Sequence, residues 1–231
     1  MTTADFAARP QLSEDVARLV RRRIFDGVYT AGRYIRLDQL AAELGISVTP
    51  VREALFELRA EGLLAQQPRR GFVVLPVTRR DIADVSDVQA HIGGELAARA
   101  AAAISADQLA ELRELQARLE KAYAGDDEEL VVRLNHEFHR AINVAADSPK
   151  LAQLMSQITR YAPESVFPTI TGWPAKSTRD HRRVLAALAK GDEEMARAAM
   201  SQHLAAGADP LIAHLVSRGV IEAAPGRPRA R

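Results

Sequence analysis

Residues 37–62 confine two helical stripes and a glycine break to a very short stretch of chain, and this limits the folds open to it. Leu37, Leu40, Ala41 and Leu44 recur at helical spacing, Gly45 interrupts the series, and Val51, Ala54, Leu55 and Leu58 form a second stripe closed by Gly62. Two such short helices cannot each bury an apolar face alone, so they must share a core with a neighbour. Upstream, Ser13–Phe25 reads as that neighbour, with Val16, Leu19, Val20 and Ile24 on one face. Its acids come first (Glu14, Asp15) and its bases last (Arg21, Arg22, Arg23), as the helix dipole favours. Downstream, two extended runs, Leu63–Gln66 and Phe72–Leu75, flank Pro68-Arg69-Arg70-Gly71 and predict a hairpin with a basic tip. Helix, turn, helix, hairpin is the order of a winged helix-turn-helix.

From Asp81 onward the strand signal is absent. The spacing predicts a long Ala-rich helix over Asp81–Ile104, a capping box at Ser105–Gln108, a helix to about Ala146 after Gly125, and a fresh start at Ser148-Pro149. An irregular stretch follows between Pro163 and Pro174, then helices over Lys176–Ala189 and from Asp192, with a break at Asp209-Pro210. The expected fold is mainly α: an N-terminal winged helix-turn-helix and a C-terminal all-α helical bundle. The expected boundaries are a disordered start over 1–10, a DNA-binding domain over 11–76, a linker over 77–80, a helical domain over 81–218 and a disordered Pro- and Arg-rich tail over 219–231.

Charge divides the same way. Residues 1–80 carry 13 Lys and Arg against 9 Asp and Glu, a net of +4, while the remainder is net −3. A basic first part and an acidic second part suit a nucleic-acid module joined to something else. The absence of cysteine removes disulfides and thiolate metal sites. The first residues lack a signal-peptide pattern, and no apolar run is long enough to span a membrane, so the expectation is a cytoplasmic protein.

In a helix-turn-helix the second helix enters the major groove, with its N-terminal residues nearest the base edges. Ser47, Val48, Thr49 and Arg52 occupy that end. Arg52 suits a two-bond contact to guanine, Ser47 and Thr49 suit phosphate or a base edge, and Val48 suits a thymine methyl. Arg69 and Arg70 on the wing suit phosphates or the minor groove, and Gly71 lets backbone approach closely. The run from Leu37 to Leu55, with Thr49-Pro-Val-Arg-Glu-Ala-Leu55 at its end and Glu61-Gly62-Leu63 after it, resembles the GntR family of bacterial regulators over residues 11–76. The resemblance implies binding to short palindromes as a homodimer. Val48 stands where many members carry a basic residue.

All six histidines lie after residue 90. Asn135 and His139 share a helix face, His181 lies on a later helix and His203 on the next. Three imidazoles and one oxygen from three helices could enclose a divalent metal; the same pattern also serves as hydrogen-bonded pairs or a solvated face. Asn135-x-x-Phe138-His139, Asp180-His181-x-x-Val184-Leu185 and Met200-x-x-His203-Leu204 resemble the FCD domain, the ligand-binding domain of the FadR subgroup of GntR regulators, over residues 80–218. The resemblance implies a metal such as zinc, nickel or manganese held by Asn135, His139, His181 and His203. The oxygen donor here is a neutral amide where Asp is common, and it binds hard cations less tightly. Imidazole must be neutral to ligate, so binding is expected to weaken below about pH 6.

Spare coordination positions on such an ion would take a small carboxylate effector, with Arg99, Arg133 and Arg160 as candidate second anchors. Gln89 and Gly93 stand on the first helix of this domain where members often carry an Arg and an acidic residue. The chain therefore reads as a sequence-specific transcriptional regulator whose operator affinity follows a small organic acid. Three rivals remain: a regulator with a metal-free apolar pocket for an acyl chain, against which the four matching ligand positions argue, a regulator for which the ion itself is the signal, and a helical metalloenzyme. Against the last, the sequence has no HExxH, nucleophile elbow or phosphate-cradling loop, so no catalytic residues and no enzyme activity are expected.

Overall fold

The computed structural model describes residues 9–125, 127–161 and 164–222. The chain forms two compact units: one holds the residues up to Arg79 together with the segment from Leu215 onward, the other Arg80–His214.

In the first unit, α1 (Arg9–Phe25), α2 (Leu37–Leu44) and α3 (Val48–Ala60) pack with β1 (Tyr34–Ile35), β2 (Leu64–Gln67) and β3 (Gly71–Val74). The three strands form one antiparallel sheet in the order β1-β3-β2, with Ile35 opposite Phe72 and Leu64 opposite Val74. The apolar stripes anticipated from the sequence converge: Val16, Val20 and Ile24 of α1, Leu40 and Ala41 of α2, and Val51, Ala54, Leu55 and Leu58 of α3 are all buried. Gly45 ends α2 in the left-handed region (φ 66°), and its N–H returns to the Ala41 and Ala42 carbonyls. Arg21 forks onto Glu61 at 3.0 and 2.5 Å and ties α1 to the end of α3.

Two features go beyond the sequence reading. Helix α1 begins at Arg9, four residues before Ser13. Strand β1 is new; two residues are too few to show an alternating pattern. It explains Gly71. That residue has φ 95°, and a Cβ there would lie 2.5 Å from the Ile35 carbonyl oxygen. Close approach at Gly71 is thus demanded inside the protein, by β1 against β3.

The second unit contains α4 (Arg79–Ala103), α5 (Ala106–Ala122), α6 (Glu128–Ala145), α7 (Pro149–Thr159), a 3-10 turn (Glu164–Thr169), α8 (Trp173–Lys190), α9 (Glu193–Ala205) and α10 (Ala208–Ser217); Arg79 and the last turn of α10 belong to the first unit. Ser105 and Gln108 form the expected capping box, and Asp127 and Asp192 cap α6 and α9. Ser148 makes no cap bond; its hydroxyl accepts from Arg99 at 2.7 Å. Small residues on α4 bring α9 close: a Cβ on Gly94 would lie 2.2 Å from Ser201 Oγ, whose hydroxyl donates to the Ala90 carbonyl at 2.8 Å. Leu96, Leu112, Phe138, Ile142, Val184 and Met200 fill the core. Among the described residues no helix is long and apolar enough to cross a membrane.

The expected end of the helical domain at 218 differs from the division seen, which falls after His214. Within the expected tail, Ile221 is buried; residues 223–231, and residues 1–8 at the start, lie outside the described residues. Because the Gly71 contact is to backbone, Gly71→Ala is expected to destabilise the protein by about 1–3 kcal/mol in urea unfolding. A loss below about 0.5 kcal/mol would show that β1 can move off β3 freely.

Candidate nucleic-acid interface and candidate metal centre

Helix α3 buries Pro50, Val51, Ala54 and Leu55 and so turns its other side outward. Ser47, Thr49 and Arg52 are exposed and Val48 is half-buried. Ser47 has extended backbone (φ −71°, ψ 158°) and its side chain makes no cap bond. Arg52 engages no acidic residue among those described; Glu57, one possible partner by spacing, lies 4.0 Å from Arg21. At the wing tip the Arg70 N–H closes a turn onto the Gln67 carbonyl at 3.1 Å, and Arg69 is held at φ 64°. The Arg70 guanidinium sits 5.9 Å from the Tyr34 ring, so β1 also steadies the wing cation. Phe56, exposed on α3, meets Phe72 edge-on at 5.5 Å and joins that helix to the wing.

In the helical unit, His139 of α6, His181 of α8 and His203 of α9 converge, with one ligand nitrogen from each lying within 4.8 Å of the others. The packing of their helices forces this. Buried Phe138 stacks on His181 at 4.2 Å, and His139 stacks on His203 at 5.3 Å. Burial pushes the His139 imidazole down to about 3, with the neighbouring His203 and His136 adding to the effect. His181 is pushed well below its ordinary value in the same way, by burial and then by His203 and His139. Both rings are therefore neutral, the state in which imidazole ligates.

The tautomer of His181 follows from its surroundings. Arg182 pairs with Glu120 at 2.9 and 2.6 Å and holds that carboxyl below its usual range. An ionised carboxylate only accepts, so the Gln116 amide must turn its NH2 to Glu120 (3.0 Å) and its oxygen to His181 Nδ1 (2.8 Å). His181 Nδ1 then carries the proton, and Nε2 presents a lone pair. That nitrogen lies 3.2 Å from His203 Nε2.

His203 is left in conflict. Its Nε2 faces His181 Nε2, which the Ser177 hydroxyl also approaches at 3.5 Å. Its Nδ1 is buried 3.5 Å from Asp180 Oδ2, at the limit of a hydrogen bond, with no closer partner. The His203 ring and then Lys176 hold Asp180 well below the ordinary carboxylate range, so it too can only accept. One ring N–H cannot serve both acceptors; a second ring proton would serve the other, and so would a cation held among the three rings, with the Nδ1 proton facing Asp180. The 3.2 Å between the His181 and His203 nitrogens matches tetrahedral ligation, in which bonds of about 2.0–2.1 Å place donors about 3.3 Å apart, and the full set lies within 4.8 Å. Asn135 lies one turn before His139 and lines the same cavity as His139 and His203.

That cavity measures about 300 Å3 and lies within the helical unit. Arg99, Arg133 and Arg160 are exposed and none lines it. They project from outward positions on α4, α6 and the end of α7; Arg140 is the arginine that reaches the cavity, at its exposed edge. Sequence reasoning also passed over Gln116 and Asp180. Gln116 could have been noticed as a polar residue on the stripe of Leu112 and Leu119; Asp180 adjoins His181 but its contact with His203 is not a matter of spacing.

The neutral histidines couple stability to acid. An unfolded imidazole binds a proton near pH 6.5, whereas folded His139 does so only near 3, so the unfolded chain gains protons first as pH falls. The stabilisation is complete above about pH 6.5 and is lost progressively towards pH 3, at up to about 1.4 kcal/mol per pH unit for each such ring. Thermal unfolding of metal-free protein should therefore show a midpoint falling from pH 6.5 to 4.5, with a shallower slope in His139→Asn. Identical slopes would mean that His139 is not held neutral.

The gntR family of bacterial regulatory proteins matches residues 12–74, and the FCD domain matches residues 84–206. The chain is 26% identical over 198 residues to the HTH-type transcriptional regulator McbR of Escherichia coli, covering 83% of this chain and 88% of that protein. It is 28% identical over 223 residues to a probable D-xylose utilization operon transcriptional repressor of Paenarthrobacter nicotinovorans, covering 96% and 97%. The solved structure of E. coli McbR/YncC superposes with a TM-score of 0.68 over 90% of this chain and 98% of that one. These families and relatives are regulators, not enzymes. The chain belongs to the GntR family of bacterial regulatory proteins, as a DNA-binding transcriptional regulator with an FCD domain.

Proposed function

We propose that this regulator binds a palindromic operator as a homodimer and that a small carboxylate effector, bound beside a divalent metal in the helical unit, changes its operator affinity. The observation that carries the reading is the convergence of His139, His181 and His203 at the edge of a cavity, with His203 Nδ1 buried and without a hydrogen-bond partner.

On the DNA side, Ser47, Val48, Thr49 and Arg52 read the major groove, and Arg69, Arg70 and the backbone at Gly71 hold the wing against phosphate or the minor groove. A two-fold axis presents two such helices to two half-sites. In the helical unit, His139, His181, His203 and Asn135 hold zinc, nickel or manganese. The ion supplies an open position for an oxygen donor. Gln116 and Asp180 keep His181 and His203 in the ligating tautomer. The effector acts by binding the two dimer arrangements unequally. A tenfold change in operator affinity needs only about 1.4 kcal/mol of coupling. The route is the chain itself, since α4 starts at Arg79, the last residue of the first unit before Arg80 opens the second.

Two measurements test this. With an operator selected from random duplexes, Arg52→Ala should weaken binding by about 1–3 kcal/mol and relax base preference. Equal wild-type affinity for selected and scrambled duplexes would sink the sequence-specific reading. After reconstitution with zinc, nickel or manganese, elemental analysis should find one divalent ion per chain, lost in His139→Ala. That variant should keep basal operator binding but lose the response to an acid effector. A full response to metal alone, with no acid present, would instead make the ion the signal.

A further inference from the structure

We propose that the effector carries a single carboxylate on an apolar aromatic or branched body, and is not a dicarboxylate or a sugar acid; this rests on the metal-and-effector reading above. His139, His203 and Asn135 form the histidine end of the cavity, and Tyr123, Asn143, Ser156 and Thr159 add neutral polar groups to its wall. Met155, Phe167, Trp173, Leu204 and Leu211 form an apolar face. Phe167 and Trp173 stack at 4.5 Å and form an aromatic plate. Its volume of about 300 Å3 stands at the small end of the roughly 300–1,000 Å3 usual for ligand sites.

The second determinant is charge. The buried polar side chains of α4 that face the cavity are Ser86 and Gln89, and both are neutral. Gln89 Nε2 donates to the Ile158 carbonyl at 3.4 Å. The other lining residues able to carry positive charge, His136 and Arg140, are exposed at the cavity edge. An ion pair at a solvated guanidinium contributes little. A second carboxylate carried inward would be buried without a cationic partner, a far larger loss. Any sugar-acid hydroxyl set against Leu204, Leu211 and the aromatic plate would lose its water there for no equivalent bond. A carboxylate at the histidine end with a hydrocarbon body against the plate leaves neither group unmatched.

Trp173 is the only tryptophan of the chain, so its emission reports on the wall without a label. Full-length zinc-loaded protein is titrated with phenylacetate, 4-methylpentanoate, succinate and gluconate. Phenylacetate and 4-methylpentanoate should change Trp173 emission saturably, with at least tenfold tighter binding than succinate or gluconate. Tighter binding of succinate or gluconate overturns this inference and leaves the effector-site reading standing. No saturable change with any of the four overturns both. Unchanged phenylacetate binding after zinc is removed upholds the apolar class and overturns the metal-anchored reading. In Gln89→Arg, which adds a buried cation, the ratio of succinate to phenylacetate affinity should rise at least tenfold. An unchanged ratio in a folded variant overturns the role given to the neutral α4 wall; the wild-type selectivity stands as a test whether or not that variant folds.

Discussion

His203 is buried between two acceptors, His181 Nε2 and Asp180 Oδ2. This crowding marks the polar centre of the helical unit. It arises because α8 and α9 bring His181 Nε2 and Asp180 to opposite sides of one ring. It is held in place by a chain that runs from Arg182 through Glu120 and Gln116 to His181 Nδ1. Each link is forced by the one before: a paired carboxylate accepts, so the amide orients, so the imidazole tautomer is chosen. Around this polar centre the packing is apolar and tight, with Phe138 against His181. The cluster therefore cannot relax by swinging a histidine into water without opening the core.

The DNA-binding unit follows a different economy. Its core draws on one apolar face each of α1, α2 and α3, and polar residues such as Ser47, Thr49 and Arg52 face outward. The internal ion pair of Arg21 with Glu61 uses cations and acids away from the start of α3. Arg52, at the start of α3, is left exposed. The short strand β1 does more than its length suggests, since it accepts Gly71 against its backbone and places Tyr34 beneath Arg70. The geometry of the wing is in this way set by residues that precede it by half the unit.

The reading of the fold from sequence was sound where a pattern is local. Helical stripes, the Ser105–Gln108 box and the glycine after Leu44 depend on residues within a turn or two of each other, and all appear in the structure. Strand β1 could not be read, because its identity comes from pairing with β3 and not from any alternation of its own. The three arginines offered as effector anchors show the same limit. Arg99, Arg133 and Arg160 lie in the right helices but on faces that do not meet the cavity. Helix rotation depends on which neighbours pack around it.

The amino-acid sequence by itself determined the two-part plan and the position of the helix-turn-helix, because each rests on residue type and local spacing; the histidine set came from the resemblance to the FCD domain. Only the tertiary structure decided which acceptors surround those histidines, how Gln116 and Asp180 dictate their protons, and that the cavity beside them carries no buried cation. The physical reason is distance along the chain: Gln116 and His181 are 65 residues apart, and a hydrogen bond across that gap exists only once helices have chosen their partners.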